Sequence, residues 1–238
     1  MRGNPPGRKK MKRENGFFDS RFEPLIKVCG ITCLRDALAS VEAGANALGF
    51  NFYPPSPRFL DLGKAEKIVS GLPHGILTFA VVVRGYALSA GASHEDVDDA
   101  GKRLMDIDGY GIPEWFDIVQ VHGVDDAAQV PGSRRPLLIA VSPESAPQFN
   151  EYDIIIDTSW GEGKLADWEK TSQLKRPYIL SGGLNPGNVE EALERLNPAG
   201  IDVCSGVESS PGRKDPEKLQ NFLEKANAFY RGKQGEIT

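Results

Sequence analysis

A closed (β/α)8 barrel, eight parallel strands alternating with helices in one α/β domain, is the fold this sequence predicts. Three observations carry that reading. First, eight short apolar runs are spread along the chain, each rich in Val, Ile and Leu and bounded by Gly, Pro or a polar turn. Runs of that kind mark parallel strands buried on both faces. Second, amphipathic stretches separate most of the runs, as helices that cross back over a parallel sheet must. Third, 238 residues suit a single barrel.

The runs are "LIKVC" (25–29), "NALGFNF" (46–52), "ILTFAVVV" (76–83), "FDIVQVH" (116–122), "PLLIAV" (136–141), "YDIIID" (152–157), "PYILSGG" (177–183) and "GIDVCSG" (200–206). Between them, "LRDALASVEAG" (34–44) has helical apolar spacing and a closing glycine. "PGNVEEALERL" (186–196) puts Pro at a helix start, and "DPEKLQNFLEKANAFY" (215–230) aligns Leu219, Phe222 and Ala226. The segment 92–107 is polar and reads as helical; 142–151 is too short for a full helix. A doubly wound open sheet is the alternative, but no G-x-G-x-x-G follows the first run. "GEGK" (161–164) lacks the upstream glycine and following Ser/Thr of a phosphate loop, and reads as a flexible connection.

Composition narrows the function classes. Hydrophobic residues make up 40% of the chain, and no run reaches the ~18 residues that a membrane span needs. The N-terminus has no apolar stretch after its charges, so a signal peptide is not expected. Three cysteines, Cys29, Cys33 and Cys204, are expected to be reduced thiols in a cytoplasmic protein. No second Cys or His cluster accompanies them, so a zinc site is not expected. Residues 1–13 hold six basic side chains and no acid; without them the net charge of −5 becomes −11. An acidic body argues against nucleic acid as the main partner. Residues 1–23 are read as a basic, disordered extension, with an inert role favoured over a nucleic-acid or membrane one, and Met11 is an alternative start. The barrel is placed at 24–231 and a C-terminal tail at 232–238.

In a barrel, chemistry sits where the strands end. Cys29 follows the first run, Arg58 lies in the loop after the second, and Gln120 and His122 lie on the fourth. Asp157 ends the sixth, Gly182 and Gly183 the seventh, and Ser205 and Gly206 the eighth. Glycines after the last two runs suit a phosphate, whose oxygens need close backbone N–H donors. The Arg58 fork suits a carboxylate. Two-residue alternation puts Leu25, Lys27 and Cys29 on one face. Lys27 then either favours a Cys29 thiolate or serves as a structural ion-pair partner for Asp202 or Asp153; the structural reading is favoured. Cys33 and Cys204 are read as packing residues.

The motifs "KVCGIT", "GFNFYPPSPRFL", "VQVHG", "IIIDT", "SGGLNPGNV" and "DVCSGVESSPGRKD" occur in that order over residues 25–225. Together they resemble the phosphoribosylanthranilate isomerase family of tryptophan biosynthesis. The resemblance implies an Amadori rearrangement of N-(5-phosphoribosyl)anthranilate to 1-(2-carboxyphenylamino)-1-deoxyribulose 5-phosphate, with no metal or organic cofactor. It implies Cys29 as general base, Asp157 as general acid and Arg58 as holder of the anthranilate carboxylate. Gln120, His122, Gly182, Gly183, Ser205 and Gly206 are expected to line the substrate. The partner is a small phosphosugar, not nucleic acid or membrane, and the protein is expected to be a monomer or homodimer.

Three departures from the family pattern stand out. The loop "DTSWGEGKLADW", with Trp160 and Gly161, is shorter than is usual in the family. Arg84 ends the third run where a smaller or amide residue is expected, and Cys204 stands where serine is common. The barrel isomerase of histidine biosynthesis is the nearest enzymatic rival, but its pattern needs an aspartate where this chain has Cys29. A non-enzymatic barrel that keeps only phosphate binding is disfavoured by the presence of Cys29, Asp157 and Arg58 together.

Overall fold

The computed structural model describes residues 24–84, 111–157 and 167–235. Eight parallel strands close on themselves: β1 (Leu25–Val28), β2 (Ala47–Asn51), β3 (Leu77–Val83), β4 (Ile118–His122), β5 (Leu137–Val141), β6 (Asp153–Ile156), β7 (Ile179–Leu180) and β8 (Gly200–Val203). Each pairs with its neighbour in chain order, and β8 returns to β1 with Lys27 opposite Asp202 and Val28 opposite Val203. The predicted barrel is therefore the observed one.

Alternation along each strand creates two cores. One set of side chains, including Leu25, Phe79, Ile118, Leu138, Ile155 and Ile179, fills the barrel. The other, including Val28, Phe50, Val121, Ile139, Ile156 and Ile201, packs outward under the helices. Each large apolar side chain so buried contributes about 1.5–3 kcal/mol relative to exposure. This is why the strands read as continuous apolar runs with few polar interruptions.

Helices α1 (Leu34–Glu42), α2 (Leu62–Ser70), α3 (Trp168–Thr171), α4 (Val189–Leu196) and α5 (Pro216–Gly235) surround the barrel. The sequence reading singled out α1, α4 and α5 but not α2 or α3. The start of α2 is set by Asp61, whose side chain accepts from the Lys64 amide at 2.9 Å. Pro186 lies three residues ahead of α4 and not at its start, and Asn197 closes that helix in the left-handed conformation at φ 47°. In α5, Pro216 occupies the first position, Asp215 accepts from the amides of Glu217 and Lys218 at 3.1 Å each, and the helix runs on past residue 231. Between β5 and β6 there is one 3-10 turn, Ala146–Phe149, in place of a helix. A small antiparallel hairpin, β9 (Glu208–Ser210) with β10 (Arg213–Lys214), follows β8 and was not foreseen. The readings placed on 1–23, 92–107, 161–164 and Trp160 lie outside the described residues.

Only two residues of the "PYILSGG" run form strand, because Gly182 and Gly183 turn the backbone to φ 86° and 65°. Gly200 serves the opposite end of the barrel. A Cβ there would fall 2.6 Å from the Leu25 carbonyl oxygen and 2.7 Å from the Leu25 Cβ. Neither atom can move without disturbing the β1–β8 seam. Gly200→Ala is therefore expected to destabilise the protein by about 1–3 kcal/mol, read as a lower midpoint in urea unfolding with an unchanged slope.

Candidate active site

Because all eight strands are parallel, their C-terminal ends share one rim. Cys29, Gln120, His122, Asp157, Ser181–Gly183 and Ser205–Gly206 reach it on β1, β4, β6, β7 and β8 or just beyond them, and the loop after β2 brings Arg58 over the same end.

The floor of the site beneath Cys29 is an ion pair. Lys27 Nζ lies 2.8 Å from Asp202 Oδ1, with both side chains buried, and 5.4 Å from the centroid of the Phe79 ring. Asp202 also accepts from Ser181 Oγ at 3.2 Å. The structural role favoured for Lys27 is thus present, with Asp202 and not Asp153 as partner. The electrostatic role is present as well, since the ammonium favours the Cys29 thiolate. Gly49 on β2 leaves the room for both groups: a Cβ there would sit 2.7 Å from Cys29 Sγ and 2.9 Å from Lys27 Nζ.

Cys29 is 8% exposed and donates its backbone N–H to the Val203 carbonyl at 2.8 Å. A hydrogen bond from Cys204 lowers the Cys29 thiol, burial opposes this, and the Lys27 charge adds to the lowering; the thiol ends at about 7. The Cys204 thiol is pushed well up, first by the same contact and then by burial. Cys204, read from the sequence as a packing residue, thus sits beside the Cys29 thiol. The clue lay in the register: Val28 faces Val203, so positions 29 and 204 meet.

Arg58 is 8% exposed. Its Nε lies 2.9 Å from Glu208 Oε1 and its Nη2 lies 2.7 Å from Oε2, while Nη1 takes part in neither bond. One edge of the fork expected to face a substrate carboxylate is thus already closed on a protein carboxylate. Glu208 also meets Lys214 Nζ at 3.1 Å and the Gly212 amide at 3.2 Å. Arg58 and Lys214 hold its carboxyl below the usual carboxylate range in spite of burial. The sequence analysis missed Glu208 because the unforeseen β9–β10 hairpin is what turns it inward.

His122 and Asp157 line one cavity of about 280 Å³, together with Ser142, Ser145 and Asp125. Cys29 and Arg58 do not line it. Gln120 Nε2 and His122 Nε2 are 2.8 Å apart. The pair is a hydrogen bond whose donor is set by the imidazole tautomer. Burial lowers the His122 pKa, and the Asp157 charge opposes this. Gln120 Oε1 is buried with no hydrogen-bond partner. Arg84 Nη1 reaches Gln129 Oε1 at 3.4 Å, and Arg84 does not line the cavity.

After β7, Gly183 accepts from Asn188 Nδ2 at 3.1 Å, which holds the loop against the start of α4. Ser205 begins a 3-10 turn, Ser205–Val207. A Cβ on Gly206 would lie 1.9 Å from the Leu184 carbonyl oxygen. Gly206 therefore has a packing reason to be glycine: the loops after β7 and β8 touch there. Among the described residues, no group of three or more His, Cys, Asp or Glu side chains is gathered to hold a metal ion, and no helix is long and apolar enough to cross a membrane.

Comparison with known proteins agrees with this geometry. The family model for N-(5'-phosphoribosyl)anthranilate (PRA) isomerase matches residues 113–225. The N-(5'-phosphoribosyl)anthranilate isomerase of Syntrophus aciditrophicus (strain SB) is 38% identical over 212 residues, 83% of this chain and 85% of that protein. A phosphoribosyl anthranilate isomerase solved in complex with reduced 1-(o-carboxyphenylamino)-1-deoxyribulose 5-phosphate superposes with a TM-score of 0.63 at 30% identity, covering 86% of this chain and 99% of that one. A structure of monomers of the dimeric isomerase from Thermotoga maritima gives 0.64 at 32%, with the same coverage. With motifs, barrel and relatives in agreement, the chain belongs to the N-(5'-phosphoribosyl)anthranilate isomerase family.

Proposed function

We propose that this protein isomerises N-(5'-phosphoribosyl)anthranilate to the 1-deoxyribulose 5-phosphate product in tryptophan biosynthesis, using Cys29 as general base and Asp157 as general acid. The observation that carries the reading is the thiol of Cys29: nearly buried, at the barrel mouth, lowered to about 7 and set above an ammonium. Few surroundings do that for a thiol with only a structural role.

The reaction opens a ring and moves a proton. A proton delivered to the furanose oxygen lets the C1–O bond break and leaves a Schiff base. A base then takes the C2 proton, and the enolamine formed relaxes to the ketone. Asp157 supplies the first proton from the end of β6, and the Cys29 thiolate takes the second from the end of β1. The charge on Cys29 disappears as it accepts the proton. Lys27 remains paired to Asp202 throughout, so the floor of the site keeps its charge balance.

Binding follows the same geometry. The phosphate lies against the loops after β7 and β8, where Gly182 and Gly183 let the backbone approach closely and Ser205 opens the turn after β8. Gly206 contributes by letting those loops approach. Glu208 fixes one edge of the Arg58 guanidinium, and the Nη1 side meets the anthranilate carboxylate. His122 lines the pocket in its neutral form, with the buried Gln120 amide hydrogen-bonded to its ring.

Three outcomes are expected. When the labile substrate is generated in situ and loss of anthranilate fluorescence followed, Cys29→Ser and Asp157→Asn each lower kcat by about a hundredfold or more. Wild-type turnover that survives both changes rules out the assignment, and no wild-type turnover favours a barrel that only binds phosphate. The second outcome concerns pH. The thiolate is the working form, so kcat/KM rises as pH increases through about 7 and levels off above it. Exchanging Lys27→Met together with Asp202→Asn removes the pair without stranding either charge, and moves that limb to higher pH, because the Lys27 influence on Cys29 exceeds the opposing one of Asp202. Third, Arg58→Lys keeps a charge for Glu208 but loses the planar fork, so KM rises roughly tenfold with a smaller change in kcat.

A further inference from the structure

We infer that Cys29 and Cys204 form a redox-active thiol pair: a hydroperoxide oxidises Cys29, and Cys204 resolves it into an intramolecular disulfide that shuts the active site. The loss of activity rests on the general-base reading of Cys29; the bridge itself does not.

Register places the two cysteines together. β1 and β8 run in parallel with Val28 opposite Val203, and the next rung is held by the hydrogen bond from the Cys29 amide to the Val203 carbonyl. Neighbouring strands lie about 4.8 Å apart, inside the ~4.4–6.8 Å Cα separation that a disulfide spans. The two side chains already interact, each shifting the other's titration. Two glycines make the room that the sulfurs occupy. A Cβ on Gly30 would sit 2.8 Å from Cys204 Sγ, and one on Gly49 would sit 2.7 Å from Cys29 Sγ. Cys33, the remaining cysteine, caps the start of α1 and is not part of this seam.

The chemistry balances with a hydroperoxide as oxidant. The Cys29 thiolate attacks one peroxide oxygen; the S–O bond forms, the O–O bond breaks, and hydroxide leaves and takes up a proton. Cys29 is then a neutral sulfenic acid. The anionic neighbour that kept Cys204 protonated has gone. Glu208 Oε1 lies 3.9 Å from Cys204 Sγ, and the Cys204 proton leaves with the departing hydroxyl. Cys204 sulfur attacks Cys29 sulfur, the S–S bond forms, the S–O bond breaks, and the hydroxyl departs as water. Two thiols have given two electrons, and hydrogen peroxide has become two waters. Without a resolving thiol, the sulfenic acid proceeds to sulfinic acid, which ordinary thiols do not reverse.

The test treats the full-length protein with hydrogen peroxide, quenches with catalase, alkylates, and maps non-reduced peptides by mass spectrometry beside the isomerase assay. The expected result is an intact mass lower by two hydrogens, a cross-linked peptide pair carrying Cys29 and Cys204, and activity that falls and returns with dithiothreitol. Cys33→Ser forms the same bridge. Cys204→Ala forms none, gains oxygen on Cys29 and recovers poorly. Should Cys204→Ala fail to fold, the wild-type peptide map decides alone. Oxidation of wild-type Cys29 to sulfinic acid without a bridge, or a bridge through Cys33, overturns the inference. A 29–204 bridge that leaves turnover intact supports the pair and instead removes Cys29 from the role of base.

Discussion

The buried ion pair between Lys27 and Asp202 is the constraint on which the rest of the site depends. Two charges inside a barrel otherwise filled by apolar side chains would be costly alone, and removing one partner of such a pair costs about 3–5 kcal/mol. Together they stitch β1 to β8 across the seam where the barrel closes. The same pair sets the local field: the ammonium lies beneath Cys29, and the carboxylate turns its second oxygen to Ser181 at the end of β7. Three strands of the site are thereby tied to one buried charge pair.

A second charge network works at the rim. Arg58 comes from the loop after β2, Glu208 from the strand after β8, and Lys214 from the hairpin that Glu208 begins. Because Glu208 satisfies both cations, Arg58 presents its guanidinium in one orientation. A free arginine would sample several rotamers; this one has already been ordered by the fold. The two networks meet at Cys204, which follows Val203 opposite Val28 and so faces Cys29 across the seam, and which lies 3.9 Å from Glu208 on the other side. A serine at that position would keep a hydrogen bond but could not exchange electrons with its neighbour.

Space is allotted by glycine as carefully as charge by the ion pairs. Gly49 makes room for Cys29 and Lys27, Gly200 admits β8 beside Leu25, and Gly206 lets the last two loops touch. Reading "SGG" and "SG" as phosphate loops treated these glycines as one kind. The structure separates them. Gly182 and Gly183 have the positive φ that turns a strand, whereas Gly206 answers to a neighbouring carbonyl that is near in space and distant in chain. The same distinction explains why α2 escaped notice: its cap is a single Asp61 hydrogen bond, and its apolar face of Ala65, Ile68 and Val69 is short.

Strand order, the parallel barrel and the positions of Cys29, Arg58 and Asp157 along the chain were legible without coordinates. Alternation, run length and motif order are local properties that the sequence states directly. Lys27 offered two readings from sequence, and both describe it, since one ammonium can neutralise Asp202 and still act on a thiol one layer above. What the sequence could not state is who faces whom. Glu208 closing on Arg58 and Cys204 meeting Cys29 depend on strands and hairpins that bring together residues 150 or more positions apart. Such pairings arise from barrel closure and register, and only the tertiary structure decides them.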